Sequence, residues 1–449
     1  MARAPNSALR RLMGEAALSE VQLAAAVRRV AAEHGQQLVC GQSSISRWLS
    51  GTRPRPPAPA YLLEALSRRL GRPVTPAEAG LSGVPEGDIP FLATELERSW
   101  DADAVRTLSA LVRAEFDPAR RRLLTTGVYS LAALALPGLP PLAGQPRPRA
   151  DETAPIPARI EQMDAMARRF ADAAQAHGGG HVRTALAAYL THPVTGWLHS
   201  SAPEPVRRQL LASTARLTLL LGTMTADDGA DALAQRYHHC AARLATDAGD
   251  RAVFAITLRS MATHASDLGH HTPAVWHLSE RAAEAARGGA PRIARAYAQA
   301  HLAVAAARHD RHAALTALAT AERLHEQADS SPGPFTAYPL AALHYQRAQT
   351  LTALGDLPGA IGAYTASLRL RTGAERHAVT LTHARLAETL LARGHLEAAL
   401  THWSAFLDHY PHLDSARATR HLHALRQRLV PHSRHKPAAA VLNRATALR

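Results

Sequence analysis

The chain has 449 residues and a formal net charge of +14, with 51 lysines and arginines against 37 aspartates and glutamates. This length allows two or three domains, and an alanine-rich composition with 4% aromatic residues favours packed helices over sheets. The two cysteines exclude a disulfide framework, and the first residues lack the apolar core of a secretion signal. We therefore expect an all-α cytoplasmic protein.

The first 80 residues are predicted to form roughly four or five short helices. Ser19 and Gln22 make a capping-box pattern, which predicts that a helix begins at Ser19 and continues to about Glu33. A second short helix is predicted within GQSSISRWLSG, residues 41–51, with Gly51 as its stop. The proline-rich run TRPRPPAP then excludes helix, and a further amphipathic helix ends at Gly71.

The helix within residues 41–51 has two chemically different faces. Its apolar residues are three and four positions apart and share one face: Ile45, Trp48 and Leu49. The remaining arc carries Gln42, Ser43, Ser46 and Arg47. A DNA major groove, about 12 Å wide, accepts one helix whose amide, hydroxyl and guanidinium groups pair with base edges. This pattern predicts a helix that reads DNA.

These motifs resemble the helix-turn-helix domain of the phage-repressor (XRE) family. LSEVQLA, residues 18–24, is similar to the first helix of that motif, and QSSISRW, residues 42–48, is similar to its recognition helix. The resemblance implies that Gln42, Ser43 and Arg47 read bases and that Ser44 and Ser46 lie near phosphates. We add Arg53 and Arg55, in the following loop, as basic DNA contacts.

Two features depart from the compact repressors. About eleven extra residues, roughly VRRVAAEHGQQ, separate the two helices, and the phosphate-binding position early in the first of them falls near Glu20. Residues 48–81 resemble a group of actinobacterial regulators of development and secondary metabolism that carry the same long insertion. That resemblance implies a transcriptional regulator and leaves its operator and the sign of regulation open.

The charge of the first 80 residues agrees with DNA binding. This segment has eleven arginines and five glutamates, a balance of +6, which would attract phosphates. The alternative is a genomic bias towards arginine, since Lys436 is the only lysine of the chain.

The next segments are predicted to connect two domains. We assign residues 81–136 to a helical connector and residues 137–157 to a proline-rich linker. Residues 120–144 superficially resemble a twin-arginine export signal, but prolines interrupt the apolar stretch, which is far shorter than the roughly 20 residues a membrane span requires. We expect no membrane segment there.

An internal repeat follows the linker. In five units a small or apolar residue, a turn residue and an alanine are spaced seven and then five positions apart. The units are Gly222, Gly229, Ala234; Ala262, Gly269, Ala274; Leu302, His309, Ala314; Ala348, Gly355, Ala360; and Ala387, Gly394, Ala399. The third unit departs most, because it has leucine and histidine where the others have small residues and glycine.

This spacing resembles that of tetratricopeptide (TPR) repeats. The resemblance implies a TPR-like α-solenoid of helix pairs over residues 158–430. With the XRE resemblance, the predicted order is an N-terminal helix-turn-helix domain (1–80), the solenoid and a basic tail (431–449). In that architecture a superhelix with a concave face receives a peptide or protein partner. The alternative is that the solenoid only dimerises the chain, and we expect a homodimer.

No catalytic or metal-binding motif is present, since the histidine pairs have no companion ligands and no nucleotide-binding loop occurs. We therefore predict neither an enzyme nor a cofactor. The sequence favours a DNA-binding transcriptional regulator with double-stranded DNA as its partner. The alternative is an interaction scaffold whose helix-turn-helix no longer reads DNA.

Overall fold

The structure, a computed structural model, describes residues 5–33, 37–55, 57–70, 74, 76, 78–81, 103–116, 129–134, 156–200, 202–328 and 338–448. The regular structure of these residues is helical throughout, and none of them belongs to a β-strand, which confirms the predicted all-α class. The chain divides into unit 1 (Met1–Pro141 and Asp231–His239) and unit 2 (Leu142–Ala230 and Cys240–Arg449).

Unit 1 begins with four short helices, here called the head. They are α1 (Ser7–Glu15), α2 (Glu20–Glu33), α3 (Gln42–Leu49) and α4 (Ala58–Leu70). The predicted capping box starts α2: the Ser19 amide donates to Gln22 Oε1 at 2.9 Å, and the Gln22 amide donates to Ser19 Oγ at 3.3 Å. Two orphan amides at this helix end are thereby satisfied.

One apolar cluster holds the head together. Its fully buried side chains come from all four helices, among them Leu9 and Leu12 (α1), Leu23 and Val27 (α2), Ile45 (α3) and Leu62, Leu63 and Leu66 (α4). Helix α4 is buried from Ala58 to Ser67 on every side, so it is more enclosed than the amphipathic helix that its sequence predicts.

A distant segment of unit 1, the 3-10 turn Ala132–Leu134, packs against α4. Unit 1 also contains helix α5 (Ala104–Glu115) and the first part of α10 (Asp231–Ala248). Glu64 of α4 accepts the Leu131 amide at 3.0 Å and the Arg68 guanidinium at 2.8 Å. Gln235 of α10 accepts the Ser130 amide at 3.0 Å and donates to the Ser130 carbonyl at 2.7 Å.

The rest of the described chain, in unit 2, is a series of antiparallel helix pairs preceded by four helices. The first are α6 (Ile156–His177), α7 (Gly179–Tyr189), which a π-turn (Leu190–Val194) joins to the short α8 (Thr195–Leu198), and α9 (Glu204–Asp227). After α10 come α11 (Arg251–Asp267), α12 (Pro273–Arg287), α13 (Arg292–Ala306), α14 (Arg311–Glu326), α15 (Leu340–Ala353), α16 (Leu357–Leu370), α17 (Arg376–Ala392), α18 (Leu396–His409), α19 (Ala416–Leu429) and α20 (Lys436–Ala447).

The turn residues predicted for the repeat units lie in the turns between these helices. Gly229, Gly269, Gly355 and Gly394 each lie in a turn with φ between +82° and +86°, a backbone conformation that glycine adopts without a Cβ penalty. After Gly355, the Asp356 amide donates to the Leu351 carbonyl at 2.9 Å, which closes the helix end.

The third repeat closes differently, as its sequence indicates. His309 takes the place of the glycine and is not among the positive-φ residues; the Asp310 amide donates to the Ala306 carbonyl at 2.8 Å, one residue nearer than in the glycine turns. The small residues predicted at the helix crossings are buried, with Ala262, Ala348 and Ala387 fully so.

The first helices of unit 2 contact the turn before α19, near the other end of the unit, which the sequence does not predict. The Asp414 amide donates to the His177 carbonyl at 2.8 Å, and the Gly180 amide donates to the Asp414 carbonyl at 3.1 Å. A side chain added at Gly178 would collide with the Asp414 backbone, so the two segments are in close contact. The helices of unit 2 therefore return upon themselves.

Some predicted segments fall outside the described residues. Most of the 137–157 linker and much of the 81–136 connector do so, and α6 already begins at Ile156. The segment predicted as a basic tail contains α20, which buries Ala438, Val441 and Ala445. Among the described helices, none has the length and apolar character needed to cross a membrane.

Candidate nucleic-acid interface

Helix α3 is fixed at both ends by backbone hydrogen bonds. The Leu49 carbonyl accepts the Asn6 amide at 2.9 Å, and the Arg28 guanidinium donates to the Cys40 carbonyl just before the helix. Gly51, at φ +96°, ends the helix and lets the Thr52 amide reach the Arg47 carbonyl at 2.9 Å. These contacts set the orientation of α3 relative to α1 and α2.

The apolar face of α3 is buried as predicted. Ile45 is fully buried, and Trp48 and Leu49 keep only 8% and 4% of their surface exposed, all within the apolar cluster of the head. Because Ile45, Trp48 and Leu49 all pack into the cluster, they fix the rotation of α3 about its own axis. This rotation determines which side chains face outward.

The outward face carries the predicted polar residues. Gln42, Ser43, Ser46 and Arg47 are all exposed. Arg47 folds along its own helix, with Nε donating to the Ser43 carbonyl at 3.2 Å. The Ser46 hydroxyl donates to the Glu20 carboxylate at the start of α2, so the acidic position noted in the sequence touches the predicted reading face.

Ser44, predicted to lie near phosphates, does not belong to this exposed face. It is 8% exposed, and its hydroxyl accepts the Gly41 amide at 3.4 Å, while the Ser44 amide donates to the Gly41 carbonyl at 3.0 Å. The residue is therefore a capping group that begins α3. The family pattern places a hydroxyl here but does not distinguish a cap from a phosphate ligand.

Arg53 and Arg55 lie in the irregular segment after α3 and are both exposed. Pro54 between them is buried, which anchors the segment to the head. Other arginines of the head are also exposed, at positions 10, 11, 28, 29 and 69. The buried glutamate of α4, Glu64, is neutralised by Arg68 at 2.8 Å, so it subtracts little from this basic surface.

Two exposed valines were missed by the sequence reasoning. Val39, two residues before the Gly41 that caps α3, is 99% exposed, and Val21 on α2 is 57% exposed. A valine can contact the C5-methyl group of thymine, which is the apolar feature of the major groove. The available signal for Val39 is a β-branched residue just after the insertion, next to the predicted recognition helix.

His239 and its neighbour Cys240 have the properties of packed core residues. Burial lowers the pKa of His239 to about 3 and raises the pKa of Cys240 to about 12, so both are neutral near pH 7. Burial also raises the pKa of the Cys40 thiol, against an opposite effect of Arg28. Within the described residues, no group of three or more such side chains is placed to hold a metal ion.

The head coincides with the part of the chain that matches a known family. Residues 9–82 match the family model described as the SP15 N-terminal domain. No curated protein matches the chain. The matched residues span α1 to α4 and include the whole outward face of α3, so the family resemblance and the candidate interface fall on the same four helices.

Proposed function

We propose that this protein is a sequence-specific DNA-binding regulator of transcription, in which α2 and α3 act as an XRE-like helix-turn-helix and α3 enters the major groove. The observation that carries the proposal is the division of α3 into a fully packed apolar face and an exposed polar face. Gln42 supplies an amide and Arg47 a guanidinium, the groups that pair with adenine and guanine edges.

Phosphate contacts would hold α3 in the groove. Arg53 and Arg55 lie in an anchored loop directly after the helix, and other arginines of the head are exposed as well. Such charges supply binding that is independent of sequence and falls steeply with salt. In this proposal they position the head, and the side chains of α3 specify the bases.

The TPR-like helix pairs of unit 2 are proposed to join two chains or to hold a peptide or protein partner. One head makes few contacts, and two heads bound to half-sites one DNA turn apart would gain affinity through a raised effective concentration.

A second candidate function is an interaction scaffold whose head no longer reads DNA. The contact between Ser46 and the Glu20 carboxylate favours it, because a carboxylate beside the reading face repels phosphates. The packing of Arg47 along α3 points the same way, since DNA would have to draw this side chain outward.

Binding measurements on the full chain separate the two functions. The operator would be selected from genomic DNA captured with the native protein, and fluorescence anisotropy would give Kd at two salt concentrations. Gln42→Ala and Arg47→Ala should each weaken specific binding by about 1 to 3 kcal/mol and relax base preference. Arg369→Ala, an exposed arginine on α16, is the matched control and should leave Kd unchanged.

Substitutions in the loop should have a different signature. Arg53→Ala and Arg55→Ala should weaken specific and non-specific binding alike, and each should reduce the slope of log K against log salt by about one unit. Unchanged affinity of a Gln42→Ala/Arg47→Ala double variant would show that α3 is not the reading helix. Failure of the wild-type chain to select any DNA would favour the scaffold.

A further inference from the structure

Unit 2 contains a half-open cavity of about 310 Å³ between its helix pairs. Most of its lining comes from the first helices of successive pairs, α11, α13, α15, α17 and α19, with further residues from α16 and from the turn after α11. This volume lies at the lower end of the range for pockets that hold small ligands or one part of a larger ligand.

The lining carries more positive than negative charge. Arg308, Arg385 and Arg428 face the cavity together with two carboxylates, Asp267 and Glu388. Both carboxylates already have cationic or hydrogen-bonding neighbours: Asp267 lies 3.1 Å from Arg417, and Glu388 lies 2.9 Å from His421 and 3.4 Å from Arg385.

Two of the arginines have no such compensation. Within the described part of the chain, no carboxylate lies at ion-pair distance from Arg308 or Arg428, and both side chains are exposed on the wall of the cavity. Arg385 sits deeper and still keeps 37% of its side chain accessible, because it faces the open space. The guanidinium donors of these residues are therefore available to a ligand.

The charges of the lining persist at neutral pH. Burial opposes ionisation of Glu388, but the hydrogen bond from His421 and the charge of Arg385 prevail and lower its pKa to about 2. Burial and the nearby Arg308 and Arg385 lower the pKa of His271, which favours its neutral form. The three arginines outnumber the two carboxylates of the lining, and Arg417 adds a further positive charge beside Asp267.

The remaining wall combines polar and apolar groups. Gln349, Thr352 and Thr389 supply an amide and two hydroxyls, while Val304 and Leu357 supply apolar surface. A ligand that fits this lining has an anionic group and a short, partly apolar body.

We propose that this cavity binds a carboxylate or phosphate group, held by Arg308 and Arg428 with Arg385 at its base. Planar guanidinium groups bind such oxyanions through paired, charge-assisted hydrogen bonds. The anionic group belongs either to a small organic acid or to the end of an acidic peptide. The inference concerns unit 2 alone and does not depend on DNA binding by the head.

The test uses the full-length chain and three probes at constant ionic strength in chloride. They are inorganic phosphate, glutarate and the peptide acetyl-Gly-Ala-Glu-Asp with a free carboxyl end; glutaramide and the amidated peptide acetyl-Gly-Ala-Gln-Asn are the neutral counterparts. Isothermal titration should show that at least one anionic probe binds more tightly than its neutral counterpart or, for phosphate, that it binds at all. Binding of phosphate or glutarate indicates a small acid, and binding of the peptide alone indicates a peptide end.

Variants connect the binding to this cavity. Arg308→Gln and Arg428→Gln should each weaken binding of the anionic probe by about tenfold or more, because each removes a charge-assisted contact. Both should fold, since neither arginine has an ion-pair partner among the described residues to leave unpaired, and their thermal unfolding would be compared with the wild type. Arg369→Gln on α16 is the matched control.

Two results would overturn the inference: no anionic probe binds the wild-type chain, or binding is unchanged in an Arg308→Gln/Arg428→Gln double variant that melts like the wild type. DNA affinity would be measured in parallel on the same proteins. Loss of anion binding with DNA binding retained, or the reverse, shows which of the two proposals fails.

Discussion

Trp48 is the residue on which the orientation of the candidate reading face depends most. It is 8% exposed and packs in the apolar cluster of the head. Trp48→Ala should destabilise unit 1 by about 3 to 5 kcal/mol, because it removes a large buried side chain and leaves a cavity. Hydrogen exchange of α1 to α4 and thermal unfolding would measure the loss, and DNA binding should disappear with the fold.

The matched control for this substitution is Ser43→Ala, on the exposed face of the same helix, which should change stability by less than about 0.5 kcal/mol. A Trp48→Ala protein that exchanges and melts like the wild type would mean that the tryptophan does not anchor α3. The set of outward side chains proposed to read DNA would then be wrong.

At the scale of single residues, the sequence predicted the faces of α3 but not all of its contacts. The burial of Ile45, Trp48 and Leu49 follows from helical periodicity alone, and the Ser19–Gln22 capping box follows from a local motif. The contact of Ser46 with Glu20 joins residues 26 positions apart, so it depends on how α2 crosses α3. Local patterns contain no information on that crossing.

At the scale of elements, two glycines of the α15–α16 hairpin should change stability in opposite directions when each is replaced by alanine. Gly355 has φ +82°, and a Cβ there would meet no atom within 4 Å, so Gly355→Ala should destabilise unit 2 by about 1 kcal/mol through backbone strain alone. Gly362 lies inside α16, exposed and equally unobstructed. Gly362→Ala should stabilise the helix by about 1 kcal/mol, because alanine is the better helix former.

Thermal unfolding of the two variants, at a pH where both are fully folded, would give the two shifts. The physical argument requires a lower melting temperature for Gly355→Ala and a higher one for Gly362→Ala. Equal shifts would mean that the backbone conformation of the turn does not matter. Shifts in reversed order would contradict the assignment of the repeat turns.

The sequence predicted these elements better than it predicted their surroundings. The spacing of small residues and glycines located the turns, and the histidine in the third unit correctly marked the turn that closes without a left-handed residue. By contrast, α4 looks amphipathic because its sequence does not show that the segment near Leu131 covers its other side. Burial from a distant segment leaves no periodic signal.

At the scale of the whole molecule, unit 1 depends on a helix, α10, that begins 161 positions after the end of α4. Gln235 of α10 is 1% exposed and makes both of its hydrogen bonds to the Ser130 backbone. Gln235→Ala should leave two buried backbone groups unsatisfied and destabilise unit 1 by about 2 to 4 kcal/mol. The Ser130 amide should lose its protection against hydrogen exchange.

Gln327→Ala provides the control, since this glutamine is exposed at the end of α14 and should have little effect. Because Ser130 precedes Leu131, which is bound to Glu64, we expect faster exchange to extend into α4. Faster exchange confined to α10, with residues 129–134 unchanged, would contradict a supporting role of Gln235 in unit 1.

The contact between the first helices of unit 2 and the turn before α19 centres on one buried carboxylate. Asp227, at the end of α9, accepts the Gly179 amide at 2.8 Å and the Ser415 hydroxyl at 2.7 Å, and it lies 3.2 Å from His377 Nε2. Burial opposes its ionisation, but the charge and hydrogen bond of His377, with contributions from Arg417 and Ser415, lower the pKa of Asp227 below its usual range.

A carboxyl group whose pKa is lower in the folded state stabilises that state most where it is ionised in both states, above about pH 4, and less as the pH falls below that value. Asp227→Asn should therefore lower the stability of unit 2 by about 3 kcal/mol at pH 7, because it removes the buried negative charge that accepts the hydrogen bonds of Gly179 and Ser415 and attracts Arg417. On acidification towards pH 3 the wild type should lose part of this advantage, so the two melting curves should approach each other. Calorimetry at pH 7, 5 and 3 would measure the gap, and other carboxylates such as Glu388 cancel because both proteins contain them. A gap that stays constant from pH 7 to pH 3 would show that the charge of Asp227 does not stabilise this contact.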